Sequence, residues 1–269
     1  MIDFLNRFGQ WGMVAGAAEG IGAAYCEEMA SRGMNVIMVD VKQEEMTILA
    51  EKLQKEYSIQ VLREVIDLSG EDAAERCMKA MEGLDCRLLV YNAAYSRVKP
   101  FFNSSREELD LYINVNARTP LHLASVFARK LSTGKRPGGI LLMSSLAGLW
   151  GTRLVAAYSG TKAFNLLLAE ALSHEFKEFK IAVSTCCPGP TATPGYLGTN
   201  PARNFFGPAA MAPRRVASIA LSKIGKKTVI IPGLANRFNY FILTRILPRR
   251  ISVDMVNTVM AKTYRDSAF

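Results

Sequence analysis

Short, continuous apolar runs separated by segments of helical length recur along this 269-residue chain, and that alternation most limits how it can fold. The runs fall at residues 12–15, 35–39, 60–66, 88–92, 139–144, 181–187 and 228–232. Most are unbroken Val, Ile, Leu and Met rather than apolar–polar alternations, the pattern of strands covered on both faces. Between them, residues 22–32, 44–57, 70–81, 106–130, 156–177 and 212–223 read as helices. Strands alternating with helices predict an α/β fold: a doubly wound, Rossmann-type parallel sheet of about seven strands with helices on both faces. No repeat or low-complexity linker breaks the pattern, so residues 1–233 are read as one domain. Two segments stand outside it. A proline- and glycine-rich stretch at about 190–213 is too long for an ordinary connection and reads as a lid. Residues 234–269 follow the last strand as a basic helical extension packed on the same domain.

The composition, 49% hydrophobic and 21% charged, is that of a folded globular chain. The net charge of +9 is concentrated: residues 203–269 carry twelve Lys and Arg against two Asp, and the preceding body is nearly neutral. With no recognisable nucleic-acid module, this argues against a nucleic-acid binder. No run of about 18 apolar residues predicts a membrane span, and the first residues lack a secretory pattern. The five cysteines are odd in number and lack metal-site spacing. They read as reduced, buried residues of a cytoplasmic protein, and no metal is expected.

Chemistry-bearing residues gather at the carboxyl ends of the strand candidates. Gly16, Gly20 and Gly22 lie in the first strand–helix turn with Ala18, Glu19 and Ile21 between them. Such a turn needs sharp bending and no Cβ near a pyrophosphate, which then meets free N–H groups at the helix start. Asp40 ends the second strand, where a carboxylate accepts hydrogen bonds from ribose hydroxyls and repels a 2′-phosphate. Glu19 adds negative charge, Lys42 offsets some of it, and together they predict NAD over NADP. Asp67, with its neighbour Leu68, follows the third strand and is placed to meet the adenine. Asn92, Ala93 and Ala94 end the fourth strand and Ser144 and Ser145 the fifth.

Tyr158 and Lys162 stand four residues apart on a predicted helix, which puts phenol and ammonium on one face. A phenol of pKa about 10 is a poor acid–base group at neutral pH; a neighbouring cation lowers that value.

Taken jointly, these motifs resemble the short-chain dehydrogenase/reductase family over residues 11–233. Ala15-Gly16-x-x-x-Gly20-Ile21-Gly22 resembles T-G-x-x-x-G-I-G, and Tyr91-Asn92-Ala93-Ala94 resembles N-N-A-G. Asn116 matches a catalytic asparagine, Met143-Ser144-Ser145-Leu146-Ala147-Gly148 resembles I-S-S-x-A-G, and Tyr158-x-x-x-Lys162 completes the set. Pro188-Gly189-Pro190-Thr191-Ala192-Thr193 resembles P-G-x-V-x-T. Ala15, Ala94 and Tyr91 depart from the pattern, none within the catalytic set.

The resemblance implies an NAD(H)-dependent oxidoreductase interconverting a secondary alcohol and a ketone by hydride transfer. Tyr158 is then the acid–base residue, Lys162 lowers its pKa and holds the nicotinamide ribose, Ser145 hydrogen-bonds the substrate oxygen, and Asn116 supports a proton-relay water. Pro188, Gly189, Thr191 and Thr193 would hold the nicotinamide half. It also implies a homodimer or homotetramer, with Phe164, Leu166, Leu167 and Leu168 on a buried helix face. Trp150 and the lid residues Tyr196, Phe205 and Phe206 are expected at the substrate mouth, and such an apolar lid favours a lipophilic substrate. Residues 11–33 resemble the hydroxysteroid dehydrogenase and 3-ketoacyl reductase branch. The expected substrate is therefore hydroxysteroid, bile-acid-like or fatty acyl, with a 3-oxoacyl thioester reductase as the alternative. A rival class is a catalytically silent NAD-binding regulator. His122 and His174, within predicted helices, are expected to be helix-surface or packing residues rather than catalysts. The tail reads as a helix packed on its own body or a dimer mate. The sharper alternative is a basic amphipathic segment meeting an anionic membrane or acyl carrier.

Overall fold

The computed structural model describes residues 2–202 and 209–264. Its sheet has seven strands in the order β3-β2-β1-β4-β5-β6-β7, every neighbouring pair parallel. The strands are β1 Trp11–Ala15, β2 Asn35–Asp40, β3 Val61–Val65, β4 Cys86–Tyr91, β5 Gly138–Met143, β6 Ile181–Cys186 and β7 Val229–Ile230. Each expected strand is present, within a few residues. The central runs are unbroken because both faces are covered; β1 and β5 are buried throughout. β3 departs from that pattern, since it is an edge strand with Leu62, Arg63 and Val65 exposed.

Helices α2 (Gly20–Ala30), α3 (Gln43–Tyr57) and α9 (Pro213–Lys223) cover one face, where Tyr25, Met29, Leu53 and Val216 join a single core. Helices α4 (Ala73–Ala80), α6 (Thr119–Thr133) and α7 (Ala156–Glu175) cover the other, around Cys77, Leu123, Phe127 and Ala169. The order reverses between β1 and β4: the chain winds outward to β3, then returns to the other side of β1. That switch opens a crevice beyond the carboxyl ends of these two strands.

Four features were not read from the sequence. A first helix, α1 Ile2–Phe8, precedes the sheet; Phe8 is buried in the core and Arg32 sits 4.8 Å from the Phe4 ring. The single helix expected over 106–130 is α5 Arg106–Ile113, a wide turn of i→i+5 bonding at Asn114–Arg118, then α6. The tail is a pair of helices, α10 Leu234–Phe241 and α11 Arg249–Thr263, joined through a second such wide turn at Ile242–Ile246. In α7, Phe164 and Leu167 are exposed and do not form the expected buried face. The inward stripe is Thr161, Lys162, Asn165 and Ala169, because polar and small side chains there meet the sheet end and Asn116. His122 and His174 are exposed, on the helix surface.

Helix α2 can start where it does because Gly22 has no side chain: a Cβ there would lie 1.7 Å from the Gly16 carbonyl oxygen and 2.8 Å from Asn92 Nδ2. Gly22→Ala is expected to cost about 1–3 kcal/mol in urea unfolding, as overpacking does. Gly160→Ala, in α7 with open space around its Cβ, serves as the neutral-to-stabilising control.

Candidate active site

A cleft of about 490 Å³ lies over the switch point. Its wall takes in Gly16, Glu19, Gly20, Ile21, Asp40, Asp67, Leu68, Asn92, Ala93, Ala94, Tyr158, Lys162, Pro188 and Thr193, all expected from the sequence. Residues 41–42, Ile66, Tyr95, Leu111, Val115, Met143, Ser144 and Gly195 also line it. Most of these additions flank expected residues at strand ends. Nothing in the sequence marked Tyr95 or Leu111, which approach from the β4–α5 side.

At one end the backbone turns sharply. Gly16 has φ +81° and Gly20 φ +60°, conformations that favour glycine. Asn92 Nδ2 donates to the Gly16 carbonyl at 2.8 Å, tying the end of β4 to the turn. No side chain caps the start of α2, so its amides and the positive end of its dipole face the cleft. A diphosphate fits such a turn: the glycines let backbone and neighbouring strand ends approach within 3 Å of where a Cβ would stand, and uncapped amides at the helix start can donate to it.

Asp40 is more committed than the sequence suggested. Its Oδ2 accepts from Ala18 N–H at 3.0 Å, and its Oδ1 from Val41 and Lys42 N–H at 2.8 and 3.2 Å. Oδ1 thus has both acceptor sites engaged, and Oδ2 retains one for a hydroxyl. Glu19 pairs with Lys42 Nζ at 2.7 Å, so its charge is balanced rather than added to that of Asp40. Asp67 lies beyond the end of β3, with Oδ1 accepting from Ser69 N–H and Oγ–H, both at 2.8 Å. Of the loop after β6, Thr193 caps α8 (Pro194–Leu197) and its methyl group stands over Gly20. Thr191 is buried and donates to the Gly189 carbonyl at 3.0 Å, behind the wall.

At the other end are Tyr158 and Lys162, with Ser145 beside the Tyr158 hydroxyl but outside the cleft wall, where Ser144 stands instead. Ser145 follows β5, and its Oγ accepts from Ala147 N–H at 3.2 Å. Lys162 is 2% exposed; its Nζ donates to the Met143 carbonyl at 2.8 Å and lies 5.5 Å from the Tyr158 ring centroid. Loss of water acts on both groups. Burial pushes the Lys162 ammonium down to about 8. It raises the Tyr158 phenol above its usual value, while the Ser145 hydroxyl beside it pulls the other way. The expected depression of the phenol by the lysine does not arise in this arrangement: burial sets the direction and Ser145 opposes it.

Asn116 sits fully buried in the wide turn at Asn114–Arg118. Its Oδ1 accepts from Tyr95 N–H at 2.7 Å; its Nδ2 donates to the Tyr95 carbonyl at 2.9 Å and to Thr161 Oγ1 at 3.1 Å. Its own carbonyl accepts from Asn165 Nδ2 at 2.9 Å. These bonds clamp the second and third turns of α7 to the wide turn and to the segment after β4.

Around the mouth, Trp150 is buried and Tyr196 half-buried; neither lines the cleft. Phe205 and Phe206 lie outside the described residues. The tail supplies three residues the sequence did not flag. Asn257 Nδ2 donates to the Gly151 carbonyl at 2.9 Å while its Oδ1 accepts from Arg153 N–H at 2.7 Å. The Tyr264 hydroxyl meets Thr199 Oγ1 at 3.0 Å. Asn236, 2% exposed, packs against Gly189, where a Cβ would lie 2.7 Å from its Oδ1.

Comparison with known proteins places this arrangement. A family model described as short chain dehydrogenase matches residues 10–203. A 7beta-hydroxysteroid dehydrogenase of Collinsella aerofaciens is 31% identical over 239 residues, covering 88% of this chain and 90% of that one. A solved structure from a study of 7beta-hydroxysteroid dehydrogenase stereoselectivity superposes with a TM-score of 0.85 at 28% identity, over 94% of this chain and 98% of that one. A short-chain dehydrogenase from Sphingobium yanoikuyae in complex with NADPH gives a TM-score of 0.76 at 25% identity, over 86% and 91% of the two chains.

The balance of burial against hydrogen bonding at Tyr158 can be measured by carbon-13 NMR of labelled tyrosine. The Tyr158 midpoint is expected above the ordinary 10.0 in the protein without ligands. Ser145→Ala removes a contact that favours the phenolate, so the midpoint should rise further; a fall would contradict the geometry.

Proposed function

Because the chain belongs to the short-chain dehydrogenase family, and so is an oxidoreductase, we propose that it interconverts a secondary alcohol and a ketone on a lipophilic substrate, with Tyr158 as the acid–base residue. The observation that carries this reading is the placement of Tyr158 and Lys162 together at the end of a cleft whose far end is a phosphate cradle. A nicotinamide cofactor, when bound, supplies the hydride acceptor or donor.

The chain's own residues do the rest. The amides at the start of α2 would hold the diphosphate and Asp40 would receive the adenosine ribose, with Thr193 and Pro188 toward the nicotinamide half. Ser145 Oγ–H donates to the substrate oxygen and stabilises the charge that develops there. The Tyr158 phenol stays protonated near neutral pH, so in reduction it gives its proton to that oxygen; in oxidation the phenolate takes the proton from the alcohol. With its pKa near 8, Lys162 is charged through most of the neutral range, and its ammonium favours the phenolate as the proton leaves. Asn116 acts as a positioning residue through Thr161 and Tyr95, and held there it would support the proton-relay water.

We assign NAD over NADP on Asp40, whose carboxylate opposes a 2′-phosphate. Glu19, neutralised by Lys42, no longer supports that preference, and the likeness to a chain solved with NADPH makes the cofactor comparison the sharper arm of the test. The likeness to 7beta-hydroxysteroid dehydrogenases favours a hydroxysteroid substrate over an acyl thioester. The exposed Phe164 and Leu167 of α7 suit a homodimer contact, with a homotetramer as the larger form.

Hydroxysteroids, bile acids and β-hydroxyacyl thioesters should be assayed with NAD and NADP side by side. Turnover of a steroid alcohol with NAD is expected. Tyr158→Phe should lower kcat by about 10²–10⁴-fold with cofactor Kd unchanged. A clear preference for NADP overturns the role given to Asp40. Cofactor binding without turnover of any substrate by the unaltered protein would make it the silent regulator instead.

A further inference from the structure

The tail carries an apolar surface that the domain leaves uncovered. In α10, Leu234, Phe238 and Phe241 stand at i, i+4 and i+7, one side of the helix. They are 76%, 66% and 52% exposed, and Ile246 in the following wide turn is 59% exposed. The opposite side holds the buried Asn236 against Gly189, so α10 cannot roll to hide its apolar side without losing that contact. Protruding leucine and phenylalanine side chains clustered in this way mark an interaction surface.

Charge identifies the occupant. Arg237, Arg245, Arg249 and Arg250 surround these residues, and residues 234–253 contain no Asp or Glu. All four arginines are exposed, and among the described residues none forms an ion pair. A second copy meeting this face about a two-fold axis would set arginines against arginines. The apolar residues of α7, Phe164 and Leu167, lie on a different element and suit self-association better.

We propose that the face formed by α10 and the wide turn after it docks on an anionic lipid surface. Leu234, Phe238, Phe241 and Ile246 would enter the headgroup–acyl boundary, and the arginines would meet lipid phosphates. Docking here has a consequence for the mouth of the cleft. Through Asn257, α11 holds the loop that follows Ser145, and through Tyr264 it meets Thr199 of the lid segment. A lipid-seated tail therefore holds the mouth near a reservoir of lipophilic molecules. That last step rests on the substrate reading above; the docking itself does not.

The test is sedimentation of the full chain with unilamellar vesicles of phosphatidylcholine alone or mixed with phosphatidylglycerol, without substrate or cofactor. Binding is expected to be at least about tenfold tighter to the anionic vesicles and to weaken as salt is raised. Arg237→Glu with Arg245→Glu should weaken it about tenfold or more, and Phe238→Ser with Phe241→Ser should do the same at low salt. Turnover of a water-soluble ketone should be unchanged in both variants, which separates loss of docking from loss of folding or of the catalytic reading. Failure of the folded protein to bind anionic vesicles overturns the proposal. So does binding indifferent to the four substitutions. If Phe238→Ser with Phe241→Ser turns a dimer into a monomer by light scattering, the face belongs to a second copy and the proposal falls.

Discussion

The close approach of α2 to the end of β1 is the constraint on which the site depends. Helix and strand can meet there only because Gly22 puts hydrogen where any other residue would put carbon against the Gly16 carbonyl. That same carbonyl accepts a hydrogen bond from Asn92 at the end of β4. The two strands beside the switch point are thus pinned to one turn, and the opening between them is a property of the backbone. Side chains that line the cleft decorate an opening whose floor is already set.

The sheet was legible because burial on both faces leaves little freedom of composition: β1, β2, β4, β5 and β6 read as apolar runs for the same reason that they pair as neighbours. The cleft residues were legible because strand ends in such a sheet converge, which brings Asp40, Asn92 and Tyr158 onto one wall. What escaped were effects of long-range packing. The wide turn at Asn114–Arg118 has no local signal, since its residues suit an ordinary helix equally well. The balance of Glu19 by Lys42 joins residues on two separate βα turns. The exposure of Phe164 and Leu167 follows from the polar residues beside them being needed inside, which reverses the usual reading of an amphipathic helix.

That reversal also explains how the catalytic end is held. The inward stripe of α7 makes directional contacts in place of apolar packing: Thr161 to Asn116, Asn165 to the Asn116 carbonyl, Lys162 to the Met143 carbonyl, and the Lys162 carbonyl accepting from Ser144 Oγ at 2.7 Å. Hydrogen bonds restrict rotation and sliding of a helix more than apolar contact does. The wide turn places Asn116 where both its side chain and its main chain take part.

The reach of α11 across the mouth gives the last element of the chain an influence out of proportion to its size. One amide, that of Asn257, grips a carbonyl and an N–H of the loop at Gly151 and Arg153, and the same helix ends at the lid. It works as a tie-rod between two walls that are far apart in sequence. The spacing of these two loops is thereby tied to a segment that lies beyond the seven-stranded sheet in the chain, so a change in the tail reaches both loops without touching a strand.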